Sequence, residues 1–165
     1  MKHRLKLMFG LALPFLAISK PSQAATATGS FQVSLTIQSN CMVQSASNLS
    51  FGTTGVISSS ISTTNTIGVQ CTNTTPYTVG LSAGTGTGAT VATRQMTSAA
   101  NATVAYSVYH DSAHTQVWGV TAGTDTAAGT GNGAVQSYTA YGNIAAQTTP
   151  AAGSYTDLLS VTVTY

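Results

Sequence analysis

The stretch Phe31-Gln32-Val33-Ser34-Leu35-Thr36-Ile37-Gln38 decides the fold class. Large apolar side chains alternate without a break with polar ones, which is the period-two signature of a strand with one face buried. The same parity runs on through Cys41 and Val43. Working outward, the period recurs at Ile67, Val69 and Cys71, and beyond Pro76 at Tyr77, Val79 and Leu81. Further strands are expected over Val104–Tyr109, from Ala134 to Tyr141, and at Leu159, Val161, Val163 and Tyr165. Turn-forming residues separate them: Ser58-Ser-Ser60, Gly84-Thr-Gly86-Thr-Gly88, Gly123-Thr-Asp125 and Gly129-Thr-Gly131-Asn-Gly133. Short strands at this spacing, with no sustained helical periodicity, predict an all-β antiparallel sandwich.

The first 24 residues read differently. Lys2, Arg4 and Lys6 precede an apolar run from Leu7 to Ile18, and Ser22-Gln23-Ala24 places small residues at a cleavage site. This is the three-part pattern of a secretory signal peptide over residues 1–24, with an apolar run too short to span a bilayer. Export is therefore expected, with a single domain over residues 25–165.

Removing the leader removes Lys2, Arg4, Lys6 and Lys20, leaving Arg94 against Asp111, Asp125 and Asp157, a net charge of −2. One arginine cannot supply the clustered phosphate contacts of nucleic-acid binding, so no nucleic-acid partner is expected. Thr contributes 29 of the 141 remaining residues, so solubility rests on neutral hydroxyls and amides. A Thr-rich, charge-poor surface suits sheets and dense fibre packing.

Cys41 and Cys71 share the parity of their apolar neighbours, so both point inward. In an oxidising compartment the simplest reading is one intrachain disulfide between them; two free thiols and intermolecular bridges are the alternatives.

Catalytic constellations are not found. His110, Asp111 and His114 cluster, but on a strand running into a turn the two imidazoles do not share a ligand position, and Asp111 is expected to cap the turn. No serine lies in a G-x-S-x-G context, three acids offer no paired carboxylates, and the Gly-Thr runs lack the lysine and helix of a phosphate loop. No enzyme, metal or cofactor is expected. Trp118 reads as a core or interface aromatic, and Tyr155 and Asp157 as setting the turn into the last strand.

The best strand lies near one end of the sequence and another alternating run ends at Tyr165. Two readings stand side by side. Both strands belong to one sheet system, or the first pairs with a neighbouring molecule and leaves a vacancy beside the last.

The motif Val104-Ala-Tyr106-Ser-Val108-Tyr109-His-Asp111 with Trp118-Gly119 resembles the spore coat protein U domain family. So does Tyr141-Gly142-Asn-Ile144, followed by Gln147, Pro150 and Gly153-Ser-Tyr155-Thr-Asp157 leading into Val161-Thr-Val163-Thr-Tyr165. The resemblance spans essentially residues 25–165 and is most specific in the closing motif. That family includes subunits of archaic chaperone–usher pili. It implies an incomplete immunoglobulin-like sandwich completed by a donor strand from another chain. Residues 25–40 would form the donor segment, with Phe31, Val33, Leu35 and Ile37 as plugs. Leu159, Val161, Val163 and Tyr165 would border the acceptor groove and meet the chaperone. The implied partners are neighbouring pilus subunits, a periplasmic chaperone and an outer-membrane usher. The implied location is a cell-surface pilus reached through the periplasm, serving adhesion or biofilm formation. A self-complemented secreted or spore-coat structural protein is the alternative. A carbohydrate-binding adhesin ranks behind it, because a tip adhesin would be expected to carry a second, receptor-facing domain.

Overall fold

The computed structural model describes residues 20–165; residues 1–19 of the expected signal peptide lie outside the described residues. Two units are distinguished, divided between Leu35 and Thr36. The described part of the first, residues 20–35, contains no strand or helix and is exposed throughout.

The second unit, Thr36–Tyr165, holds eight strands: β1 (Cys41–Ala46), β2 (Ile61–Cys71), β3 (Pro76–Leu81), β4 (Arg94–Thr97), β5 (Thr103–Tyr109), β6 (Ala127–Thr130), β7 (Val135–Ile144) and β8 (Val161–Thr164). They form a five-stranded sheet in the order β1-β2-β7-β5-β4 and a three-stranded sheet in the order β6-β3-β8. Every pairing is antiparallel, and no described residue is helical. The fold is the expected all-β, immunoglobulin-like sandwich.

Alternation places the core. In β5, Val104, Tyr106 and Val108 are buried while Ala105, Ser107 and Tyr109 face outward. In β3, Tyr77, Val79 and Leu81 are buried, and in β2 Ile67, Val69 and Cys71. These residues meet Trp118, Ala140 and Ile144 in one cluster. Pro76 opens β3, a place where its missing N–H costs the ladder little. At one end the irregular segment before β2 closes the core. Leu49 and Phe51 lie where a Cβ on Gly142 would collide with them, and Ile57 is buried. Phe51 meets Tyr106 edge-on, with ring centroids 6.1 Å apart.

Two differences from the sequence reading stand out. The alternating run that begins at Phe31 does not start β1, which begins only at Cys41; residues 20–40 pair with nothing as a strand. A strand is stabilised by its ladder partners rather than by its own pattern, and this segment has none. Gly129 and Thr130, read as a turn, belong to β6, and β7 continues past Tyr141 to Ile144.

Candidate functional site

Strand β8 is hydrogen-bonded on one side only, to β3, with Val79 opposite Val163 and Leu81 opposite Val161. The backbone directions follow from the ladder. Ser82 N–H donates to the Ser160 carbonyl at 3.0 Å, while Leu81 N–H turns the other way to the Gly119 carbonyl at 2.8 Å. Alternation therefore commits the even residues Thr162 and Thr164 to β3, and turns the N–H and C=O groups of Val161 and Val163 to the unpaired side.

That edge has apolar surface beneath it. Leu159, Val161 and Val163 are half-buried and pack on the core cluster. Strand β1 is the edge of the other sheet and approaches β8. Its inward-facing Val43 is 41 % exposed, whereas Val69, its partner on β2, is fully buried. The sandwich is thus open along β8 and β1.

At one end of this opening the Tyr165 hydroxyl donates to Asn40 Oδ1 at 3.0 Å. Asn40 is itself held: its N–H donates to Thr72 Oγ1 at 3.1 Å and its carbonyl accepts from Thr72 N–H at 2.9 Å. Thr72 Oγ1 also donates to the Gln38 carbonyl at 3.1 Å. Next to Asn40, Cys41 and Cys71 form a disulfide across the β1–β2 ladder, where they are register partners. Of the alternatives that the sequence left open, the intrachain bond is the one present.

At the other end, the approach to β8 is pinned by Asp157. Its carboxylate accepts from Thr85 N–H at 2.7 Å, Leu158 N–H at 2.8 Å and the Tyr106 hydroxyl at 2.7 Å. Burial pushes this carboxyl's pKa up, but the hydrogen bonds from Thr85, Tyr106 and Leu158 outweigh it and hold the group below the usual carboxylate range. Burial, with Asp157 as acceptor, pushes the Tyr106 hydroxyl well up. Gly84 has φ of 89°, and any Cβ there would strike the Asp157 carboxylate.

The buried Arg94 was not foreseen as a core residue. It has no solvent exposure, and its guanidinium donates to the carbonyls of Ser82, Val91, Leu81 and Trp118 at 2.9, 2.8, 3.1 and 2.6 Å. Burial lowers its pKa, opposed by Tyr106, Asp157 and Asp125. The only sequence signal was scarcity, a lone cation in a charge-poor chain. Trp118 is fully buried, and its indole N–H donates to the Val79 carbonyl at 2.7 Å. Together these bonds join β3, β4 and the loop that carries Trp118 behind the open edge.

The expected plugs have the opposite character. Phe31, Val33, Leu35 and Ile37 are 88, 84, 85 and 74 % exposed. Asp111 caps its turn as expected, accepting from Thr115 N–H at 3.1 Å and Gln116 N–H at 2.8 Å. No group of three or more potential metal ligands occurs among the described residues.

The sequence matches the Spore Coat Protein U domain over residues 27–162. The chain belongs to that family. The match covers the opening alternating run, strands β1 to β7 in full and the first two residues of β8. No curated protein matches the sequence significantly. The fold is similar to that of a chain in the crystal structure of the CsuC-CsuE chaperone-tip adhesion subunit pre-assembly complex from archaic chaperone-usher Csu pili of Acinetobacter baumannii. The TM-score is 0.59 at 20% identity, covering 79% of this chain and 41% of that one. This Spore Coat Protein U domain chain thus spans about two fifths of that chain's length.

Proposed function

We propose that this protein is a non-enzymatic structural subunit of a chaperone–usher surface pilus, polymerising by donor-strand exchange. Residues 25–40 supply the donor segment, and the open edge of β8 on a neighbouring copy receives it. Phe31, Val33, Leu35 and Ile37 are the plugs; Leu159, Val161, Val163 and Tyr165 border the groove. Before assembly a periplasmic chaperone lends a strand to the same edge, and an outer-membrane usher exchanges it for the next subunit's segment. The product is an extracellular fibre with a role in adhesion or biofilm formation.

One observation carries this reading. The most regular strand-forming sequence in the chain is unpaired and exposes its four large apolar side chains, while a strand of the same fold has an unpaired edge over apolar surface. Each is a liability alone: an open edge invites aggregation, and exposed alternating apolar residues seek a sheet. A strand added to a sheet edge resolves both, with main-chain hydrogen bonds giving affinity and alternate side chains giving register. Burying four such side chains contributes on the order of 6–12 kcal/mol before ordering costs. Membership of the Spore Coat Protein U domain family and the similarity to a chain of the chaperone–subunit complex lend support.

The test is the size distribution of the mature protein purified with and without a co-expressed cognate chaperone. A one-to-one chaperone complex that yields SDS-resistant, heat-sensitive ladders on release supports the proposal. A stable monomer without ladders means that the segment folds back onto its own edge, and overturns it.

A further inference from the structure

The outer face of the five-stranded sheet carries a feature that strand exchange does not use. Tyr109 on β5 and Tyr141 on β7 are direct cross-strand partners on that face. The turn after β5 folds back so that the His114 imidazole lies against both rings, with centroids 5.1 Å from Tyr109 and 6.4 Å from Tyr141. To reach this position His114 adopts φ of 57°, a left-handed conformation uncommon outside glycine, and the Asp111 cap holds the turn there. An aromatic ledge is the result, only partly exposed.

Beside it lies a cleft of about 220 Å³ lined by Tyr109, Ser107, Asn143, Ala105 and Gln147 among others. Asn143 is oriented by donating its amide to Ser60 Oγ at 2.6 Å and Ser62 Oγ at 2.9 Å. Its Oδ1 is left without a donor among the described residues, and the hydroxyls of Tyr109 and Tyr141 likewise have no partner there. The cleft therefore offers the Tyr109 ring with its phenol and the anchored Asn143 amide, and Tyr141 adjoins it as the cross-strand partner of Tyr109. Ser107 and Gln147 are already engaged, with Ala92 and Ala105.

The chemistry of these groups selects the occupant. The ring faces suit the C–H face of a pyranose, and the amide oxygen and phenols suit its hydroxyls. Arg94 is wholly buried, so no guanidinium is available at this face for a phosphate, sulfate or uronate. At about 220 Å³ the cleft is below the ~300–1,000 Å³ of pockets that enclose drug-sized molecules. It is sized for one ring of a longer chain lying across the sheet. We propose that Tyr109, Tyr141 and Asn143 form a binding site for a neutral glycan on the flank of the subunit. This site does not depend on the fibre reading, because it uses neither β8 nor residues 25–40.

The test titrates the purified mature protein with chitotriose and with maltotriose, taking a sulfated trisaccharide as the anionic control, and reads saturation-transfer NMR. The expected result is saturable transfer from at least one neutral trisaccharide and none from the sulfated one. Tyr109→Ala and Asn143→Ala are each expected to weaken binding tenfold or more. Tyr109→Phe keeps the ring, guards against a folding defect, and is expected to retain most of the affinity. Absence of saturable transfer from both neutral sugars overturns the proposal, as does transfer unchanged in Tyr109→Ala and Asn143→Ala. Association between copies through this face, abolished by the same variants while no sugar binds, overturns it in favour of a lateral self-contact.

Discussion

The Arg94 guanidinium donates to the Trp118 main-chain carbonyl at 2.6 Å, and neither residue has any solvent exposure. A buried charge is tolerated only when its hydrogen-bonding capacity is used, and here four carbonyls from three segments use it. Arg94→Ala would orphan all four and open a cavity at once. The expected cost is about 3–5 kcal/mol, read as a lower urea midpoint with little change in slope. Arg94→Lys keeps the charge without the planar fork, and is expected to fall between the two.

Asp157 sets an acid limit on the fold. Its carboxyl titrates below the ordinary range in the folded chain because Thr85, Tyr106 and Leu158 donate to the ionised form. A group depressed in the folded state contributes stability that is fully present above its unfolded pKa of about 4 and is lost as pH falls through the lower folded value. Asp157→Asn is expected to lower stability at neutral pH by about 1–2 kcal/mol, the partly exposed site taking the lower end for charged hydrogen bonds. The variant should also show a flatter decline below pH ~4. Urea titrations across that window check both.

Removing the disulfide should loosen the unfolded chain more than the folded one. Cys41 and Cys71 are 30 residues apart in sequence, so the Cys41→Ala, Cys71→Ala pair is expected to cost roughly 3–4 kcal/mol in the chain-entropy model. Equilibrium unfolding of the pair against the oxidised parent measures it.

Strand exchange makes two separable predictions on the plug and the edge. Val33→Asp or Leu35→Asp is expected to abolish SDS-resistant ladders while leaving the chaperone-bound subunit at parental yield, since a plug has no part in its own subunit's fold. Ladders at normal abundance from either variant would remove residues 31–37 as donor.

Proline tests the direction of the backbone groups along β8. Val163 faces its N–H away from β3, so Val163→Pro should preserve the folded body yet weaken recovery with the chaperone by at least tenfold. Thr162→Pro removes a donor that β3 uses and should destabilise the body itself by about 1–3 kcal/mol. Equal effects from the two would contradict the assigned ladder.

Much of this fold was legible wherever alternation involved large apolar residues. Val104, Tyr106 and Val108 announced β5, and Tyr77, Val79 and Leu81 announced β3. The first half of β2 was silent because Ser62, Thr63, Thr64, Asn65 and Thr66 offer no contrast between its two faces. Strands β4 and β6 are four residues each, too short for a period to emerge. The clearest alternation of all, from Phe31 to Ile37, belongs to no strand of this chain. Pattern reports which face seeks burial, and only a neighbour decides whether burial happens. Of the site, alternation showed the apolar face at Val161 and Val163, while its place beside a groove rested on the family resemblance alone. Arg94 could not, because its four acceptors are backbone carbonyls brought together by the tertiary fold alone.

The unpaired edge of β8 and the unpaired run from Phe31 to Ile37 are different pieces of one molecule, and this has an arithmetical consequence. Joining two copies through these pieces consumes one of each and leaves one of each behind. Such a head-to-tail contact would be heterologous and, unless two copies swap strands reciprocally or a ring closes, has no built-in stopping point. Growth would conserve the number of ends rather than deplete them. Length would then be set by supply and by whatever caps an end, and not by anything within the subunit.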